Sequence, residues 1–232
     1  MAAEDMYQAI WQRKNQGVSA IPPGTRPAVA LSLITSGTKA LDIGCGDGTF
    51  AAALSSKVPS VSGVDISAAA VAAAIRNGID AKQVNMDAEP LPFADGAFDT
   101  VTCLDVLEHV FDPRVSAREI ARVSSPGATL VLATPNMRYW KHIRSQIQGR
   151  FPLTSVDEEG YDGGHLHYYT AANLGELIAP WFDVVQVKGI PGGVRRGIGT
   201  RLIKMVMPRR AAEEFSCPGI AVLARRTSAP IQ

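Results

Sequence analysis

Leu41-Asp-Ile-Gly-Cys-Gly-Asp-Gly48 runs an apolar strand straight into three glycines, spaced Gly44-x-Gly46-x-Gly48, ahead of the alanine-rich stretch Thr49-Phe-Ala-Ala-Ala-Leu54. Glycine lets the chain turn sharply and lets a bound molecule reach main-chain N–H groups with no Cβ in the way. The helix that follows turns its positive end toward the same place. Dinucleotide-binding turns read G-x-G-x-x-G, the third glycine serving close helix–strand packing. Here the third glycine comes one residue early, and Thr49 follows it. The stretch predicts a nucleotide-like ligand at a strand–turn–helix, against the plainer reading of a tight turn.

Outward from this turn, short β-like runs alternate with helical ones, the pattern of a doubly wound α/β sheet covered on both faces. Strands are expected near 38–43, 60–65, 81–85, 98–104 and 128–134, with helices near 47–57, 67–77 and 112–123. Gly37, Pro59, Gly78, Gly96 and Pro126-Gly127 punctuate them as turns. Beyond residue 136 the rhythm breaks. Residues 137–169 hold four of the five tyrosines and three of the four histidines, too aromatic a stretch for a simple crossover. A helix near 171–180 and strands near 182–188 and 219–225 follow.

The 232 residues suffice for one domain with a full core. A net charge of +1 gives no electrostatic case for a nucleic-acid partner. Cys45, Cys103 and Cys217 stand at no metal-like spacing and read as reduced thiols, which points to the cytoplasm. Met1-Ala-Ala-Glu-Asp5 has no basic n-region, and no apolar run approaches the roughly 20 residues of a spanning helix. Secretion and integral membrane contact are not expected.

In a doubly wound sheet, ligands bind beyond the carboxyl ends of the strands at the switch point. Asp42 ends the first strand. Asp65, in Gly63-Val-Asp-Ile66, ends the second, where a carboxylate can accept bonds from both hydroxyls of a ribose. Asp87 follows the third, and its oxygens suit an exocyclic amine. Leu104-Asp-Val-Leu-Glu-His109 follows the fourth. Each aspartate alone reads as a helix cap or a solvated loop residue. Their common address at successive strand ends makes them one site.

These stretches, with Asp87-Ala-Glu-Pro-Leu-Pro-Phe93, Phe98-Asp-Thr-Val101 and Pro126-Gly-Ala-Thr-Leu130, resemble the ordered motifs of class I S-adenosylmethionine-dependent methyltransferases. The likeness covers residues 38–136 and is nearest the ubiquinone-biosynthesis-like, type 11 branch. Thr134-Pro-Asn-Met-Arg-Tyr-Trp140 and His165-Leu-His-Tyr-Tyr-Thr170 resemble, more weakly, members that tailor glycans or natural products or are linked to methionine biosynthesis. The resemblance implies a Rossmann-like, seven-stranded, mostly parallel sheet with a final antiparallel strand. Within it, residues 1–36 would form lid helices, 37–136 the cofactor core, 137–169 a substrate cap and 170–232 the completion of the sheet. By the same likeness Gly44, Cys45, Gly46 and Gly48 would face the methionine part of the cofactor, with Asp42 near its amino group. Asp65 would hold the ribose, Ile66 would pack on the adenine, Asp87 and the backbone of Ala88 would read its edge, and Leu104 would lie by the sulfonium. Pro126-Gly-Ala replaces a more usual double glycine, and Tyr7-x-x-x-Trp11-x-Arg13 is an unusual lid.

Catalysis in such a protein is largely positioning, because the cofactor carries the electrophilic methyl. An alcohol acceptor also needs a general base. His109, just past the fourth strand, is the first candidate, with packing or capping as its plainer role. His165 is the second, with Asp162 and Tyr169 beside it. In an extended stretch His165 and His167 share a face, so they are read as base and orienter or, with Asp162, as metal ligands. No further metal-binding carboxylates are identifiable, and no metal is expected. Tyr139, Trp140, Tyr161 and Tyr168, with His167, are expected to line the acceptor pocket, against a plain packing role. Residues 184–212 contain no acid but carry Lys188, Arg195, Arg196, Arg201, Lys204, Arg209 and Arg210. The basic segment 188–212 reads as a solvated lid or homodimer helix, or as a dock for an anionic substrate or a membrane surface. The expected activity is O-methylation of a small molecule or saccharide. N- or C-methylation, a methyltransferase-like regulatory partner in methionine metabolism, and a nicotinamide-dependent oxidoreductase are the alternatives.

Overall fold

A computed structural model describes residues 3–13, 17–155, 161–191, 205 and 207–231. Strands β1 (Lys39–Ile43), β2 (Ser60–Asp65), β3 (Asp80–Gln83), β4 (Phe98–Leu104), β5 (Ser124–Pro135), β6 (Phe182–Ile190) and β7 (Gly219–Arg226) form one sheet in the order β3-β2-β1-β4-β5-β7-β6. The first five run parallel, and β7 lies between β5 and β6, antiparallel to both. This is the expected doubly wound sheet with its last strand reversed. The order reverses between β1 and β4, so the switch point opens beyond Ile43 and Leu104.

Alternation along each strand divides the core between two faces. Leu41, Val101, Leu130, Leu132 and Val222 pack with Ile120 of α5 (Pro113–Val123) and Leu174 and Ile178 of α7 (Ala171–Ile178). Ala40, Val131, Ala133 and Ala221 face Ala30 and Leu33 of α2 (Arg26–Leu33) and Phe50 and Leu54 of α3 (Thr49–Leu54). Helix α5 starts where Pro113 sets the first turn and Asp112 accepts the N–H groups of Arg114 and Val115. Helix α4 (Ala68–Arg76) is capped by Ser67, whose hydroxyl accepts the Ala70 N–H.

Helices α1 (Ala3–Arg13) and α2 fall within the stretch expected to be helical by resemblance, whereas α6 (Trp140–Ile147) and α8 (Arg209–Ser216) escape the sequence pattern. Helix α6 buries none of its residues, so no apolar stripe announces it. Strand β5 begins at Ser124 rather than 128, and its pairing with β4 slips between Phe98 and Thr100, where the chain takes up Pro126-Gly127 as a bulge. Of the basic segment, Arg195, Arg196, Arg201 and Lys204 and the side chains of Arg209 and Arg210 lie outside the described residues. Lys188 donates to Ser32 Oγ at 3.0 Å. Among the described residues no helix is long and apolar enough to cross a membrane.

Gly63 shows how the sheet shapes the turn beside it. A Cβ there would lie 2.7 Å from Cys45 Sγ, closer than real contacts allow. Gly63→Ala should therefore push Cys45 and the glycine turn out of place. Overpacking of this kind costs roughly 1–3 kcal/mol, or about 2–12 °C of melting temperature at this chain length. An unchanged melting temperature would show that the turn is not braced by β2.

Candidate active site

The glycine turn needs a left-handed backbone at three points: φ is 74° at Gly44, 55° at Gly46 and 81° at Gly48. The N–H groups of Gly44 and Cys45 both bond to Val64 O, pinning the turn to β2. Asp65 completes it, Oδ2 accepting the Gly46 N–H and Oδ1 the Ser67 N–H, each at 2.9 Å. The same residue lines the cavity at the end of β2. That cavity, about 880 Å³, opens beyond the ends of β1, β2 and β4. Gly44, Asp65, Ile66, Asp87 and Leu104 line it. Asp87 accepts the Phe111 N–H through Oδ1 at 2.8 Å, which fixes the carboxylate at the end of β3.

Other residues assigned to the cofactor by resemblance lie elsewhere. Gly48 packs against α4, where a Cβ would meet Ala74 and Ile79, so it serves helix packing. The Cys45 side chain packs with Ala51, Val71 and Ala74, away from the cavity. The Ala88 N–H is spent on Asn85 O at 2.9 Å; Asn85 and Met86 line the cavity instead. Asp42 is buried behind the turn and accepts from Thr102 Oγ1 at 2.7 Å. Burial pushes its carboxyl up to about 7, against the Thr102 bond that lowers it and with the nearby Asp65 charge raising it further. Gly46 faces the indole of Trp11 from α1, which fills the place a Cβ would take.

The rest of the cavity is lined from the end of β4, from α1 and α2, and by Thr154, Ser155, Gly163 and His165. Asp105 sits at φ 56°, a conformation that costs strain outside glycine. Its Oδ1 lies 3.0 Å from Arg26 Nε, an ion pair without hydrogen-bond alignment. Glu108 is buried with its carboxyl in hydrogen-bond contact with that of Asp105, and its backbone carbonyl accepts the N–H groups of Leu166 and His167, tying residues 166–167 to the end of β4. Burial first, and the neighbouring Asp105 charge second, hold Glu108 well above the carboxylate range. Near it His109 has Nδ1 3.4 Å from Gly164 O and its ring between those of Tyr7 and His165. One donor atom each from Glu108, His109 and His165 comes within 4.8 Å of the others. This trio, rather than His165, His167 and Asp162, is the group with the spacing of a metal site. Burial favours the protonated form of Glu108 beside the two imidazoles, a set suited to moving protons.

His165 is the best supported of these side chains. Its Nδ1 lies 2.6 Å from Thr154 Oγ1 and 3.4 Å from Asp162 Oδ2. Burial would raise the Asp162 carboxyl, but bonds from the Ser155 N–H, the Thr154 hydroxyl and N–H and the Tyr168 hydroxyl hold it below its ordinary value. Burial lowers His165, with the Asp162 and Asp105 charges pulling the other way, and the ring stays neutral into mildly acid solution.

The remaining expectations for the cap need correction. Tyr169 is buried in the core and donates to Leu107 O at 3.2 Å, and burial raises its hydroxyl pKa further, so it is no base. None of Tyr139, Trp140, Tyr161, Tyr168 and His167 lines the cavity. Tyr139 is buried against Trp140 and His142, and Tyr161 is 70% exposed. His167 turns Nε2 to Phe111 O at 3.3 Å instead of joining His165. Tyr168 acts one step removed, through its 3.1 Å bond to Asp162. Residues 165–168 form no strand, which is why the shared-face argument fails. Sequence reasoning missed Arg26, Asp105, Glu108 and Thr154; the pair Asp105 and Glu108, just past the fourth strand, was the signal available.

The strand order, the glycine turn braced by a strand-end aspartate, and the cavity at the switch point are those of the Rossmann-like methyltransferase fold. Residues 41–132 match the methyltransferase domain family. Among curated proteins the chain is similar to the ubiquinone biosynthesis O-methyltransferase of Pseudomonas aeruginosa, 39% identical over 135 residues, covering 55% of this chain and 57% of that one. The chain thus aligns with little more than half the length of this relative. Among solved structures it resembles an S-adenosylmethionine-dependent methyltransferase of Mesorhizobium loti, with TM-score 0.58 and 19% identity over 86% of this chain and 97% of that one. It also resembles the N-methyltransferase NodS of Bradyrhizobium japonicum, solved with S-adenosylhomocysteine, with TM-score 0.58 and 15% identity over 88% and 86%.

Proposed function

We propose that the chain transfers a methyl group from S-adenosylmethionine to an oxygen on a small molecule or a sugar unit, with His165 as general base. The bound cofactor supplies an electrophilic methyl on a cationic sulfur. The fit on this chain's side rests on Asp65, a carboxylate lining the cavity at the end of β2 where ribose hydroxyls could donate to it, on Ile66 and Met86 as apolar surface for a base, and on Leu104 at the switch point. A cavity of about 880 Å³ suits the cofactor with one small acceptor group, so a larger acceptor would extend out through the mouth.

The observation that carries the reading is the line from Asp162 through Thr154 to His165. His165 lines the cavity, and with Nδ1 engaged by Thr154 the nitrogen left to take a hydroxyl proton is Nε2. As the ring charges, the Asp162 and Asp105 carboxylates stabilise it. Glu108 lines the same cavity, and burial raises its carboxyl pKa, which favours the form that can donate a hydrogen bond. The three cysteines are free and buried, in keeping with a cytoplasmic protein.

Incubation with isotopically labelled S-adenosylmethionine and a panel of phenols, sugars and amines, read by mass spectrometry with a chelator present, tests the reading. Label on oxygen is the expected result. Label only on nitrogen or carbon would remove the need for the base. Cofactor binding with no turnover on any acceptor would favour a regulatory partner. Turnover lost to the chelator and restored by a divalent ion would move Glu108, His109 and His165 from proton handling to ion binding.

A further inference from the structure

We infer that Thr154 is a positioning residue whose hydroxyl fixes the tautomer of His165, an inference that rests on His165 being the base. Asp162 accepts four hydrogen bonds: Oδ1 takes the N–H groups of Thr154 and Ser155 at 2.5 and 2.7 Å, and Oδ2 takes the hydroxyls of Thr154 and Tyr168 at 2.8 and 3.1 Å. A carboxylate with four donors aimed at it has no proton of its own to give. The Thr154 hydroxyl has one hydrogen, and that hydrogen goes to Asp162. Its oxygen can then only accept at the 2.6 Å contact with His165 Nδ1. The ring proton must therefore sit on Nδ1, which leaves the lone pair on Nε2. A base that pointed a protonated nitrogen at the acceptor would be useless.

The local backbone supports this role. Asp162 at φ 51° and Gly163 at φ 66° make a tight left-handed turn that brings the carboxylate back onto the 154–155 stretch. Strain of that kind persists only where surrounding bonds hold it, and here those bonds come from Thr154, Ser155 and Tyr168. The direct path from His165 Nδ1 to Asp162 Oδ2, at 3.4 Å, is longer than a good hydrogen bond. Threonine is thus the link through which the carboxylate orients the ring.

The test uses the full chain with S-adenosylhomocysteine added and 15N-labelled histidine. The chain has only four histidines, so imidazole spectra can be assigned by single substitutions. The native protein and Thr154→Ser should show His165 as one Nδ1–H tautomer. Thr154→Val keeps the shape and removes the hydroxyl; it should show a mixture of tautomers and a turnover lower by about tenfold to a hundredfold, with KM nearly constant. Rescue by serine separates the hydroxyl from packing. An unchanged tautomer population in a folded Thr154→Val would overturn the inference, as would native turnover in that variant. A tautomer shift in Thr154→Val alongside full activity in His165→Ala would uphold the role of Thr154 while removing His165 as base.

Discussion

On the proposed reading, His165→Ala should lower turnover on an oxygen acceptor by about a hundredfold to ten-thousandfold, the usual contribution of a positioned general base, while affinity for S-adenosylmethionine should change little. The ring is partly enclosed, held at Nδ1 by Thr154, and lines the cavity but is not assigned to the cofactor. Its pKa lies below the ordinary histidine value because burial disfavours the charged ring. The base is active when neutral, so turnover should hold through pH 7 and fall only as the solution is acidified beyond about 6.5. That acid limb should vanish from whatever activity remains in His165→Ala. His109→Ala should cost less, since its Nδ1 faces Gly164 O and its ring serves mainly to pack between Tyr7 and His165. A larger loss in His109→Ala than in His165→Ala would reverse the assignment.

Asp65→Ala should weaken cofactor binding by at least tenfold to a hundredfold. Losing the acceptor of ribose hydroxyls leaves donors unpaired, at roughly 1–3 kcal/mol each. The structure adds a second cost, because the same carboxylate receives the Gly46 and Ser67 N–H groups that hold the turn and the start of α4. Asp65→Asn keeps one acceptor oxygen and should fall between the native protein and alanine. Calorimetry with S-adenosylhomocysteine reads both. Native affinity in a folded Asp65→Ala would remove the ribose role.

Legibility followed the range of the interactions. Strand ends such as Asp42, Asp65 and Leu104 were readable because apolar runs and glycine punctuation are local signals, and all seven strands fall close to their expected places. Gly48 was misread because the same residue type serves ligand approach and helix packing, and only its contact with Ala74 and Ile79 tells them apart. The cap was least legible. Aromatic content announced residues 137–169 as special, but whether Tyr169 faced the core or the cavity depended on long-range packing against Leu107. Thr154 gave no signal, since a threonine in a loop is common and its role comes from the strained turn at Asp162.

A crystal structure of the full chain with S-adenosylhomocysteine tests the central claim most directly. The predicted result has the ribose hydroxyls on Asp65, the base against Ile66 and Met86, and the sulfur beside Leu104 on the side that faces His165. A ligand bound away from the ends of β1, β2 and β4, or an empty cavity at saturating ligand, would contradict it.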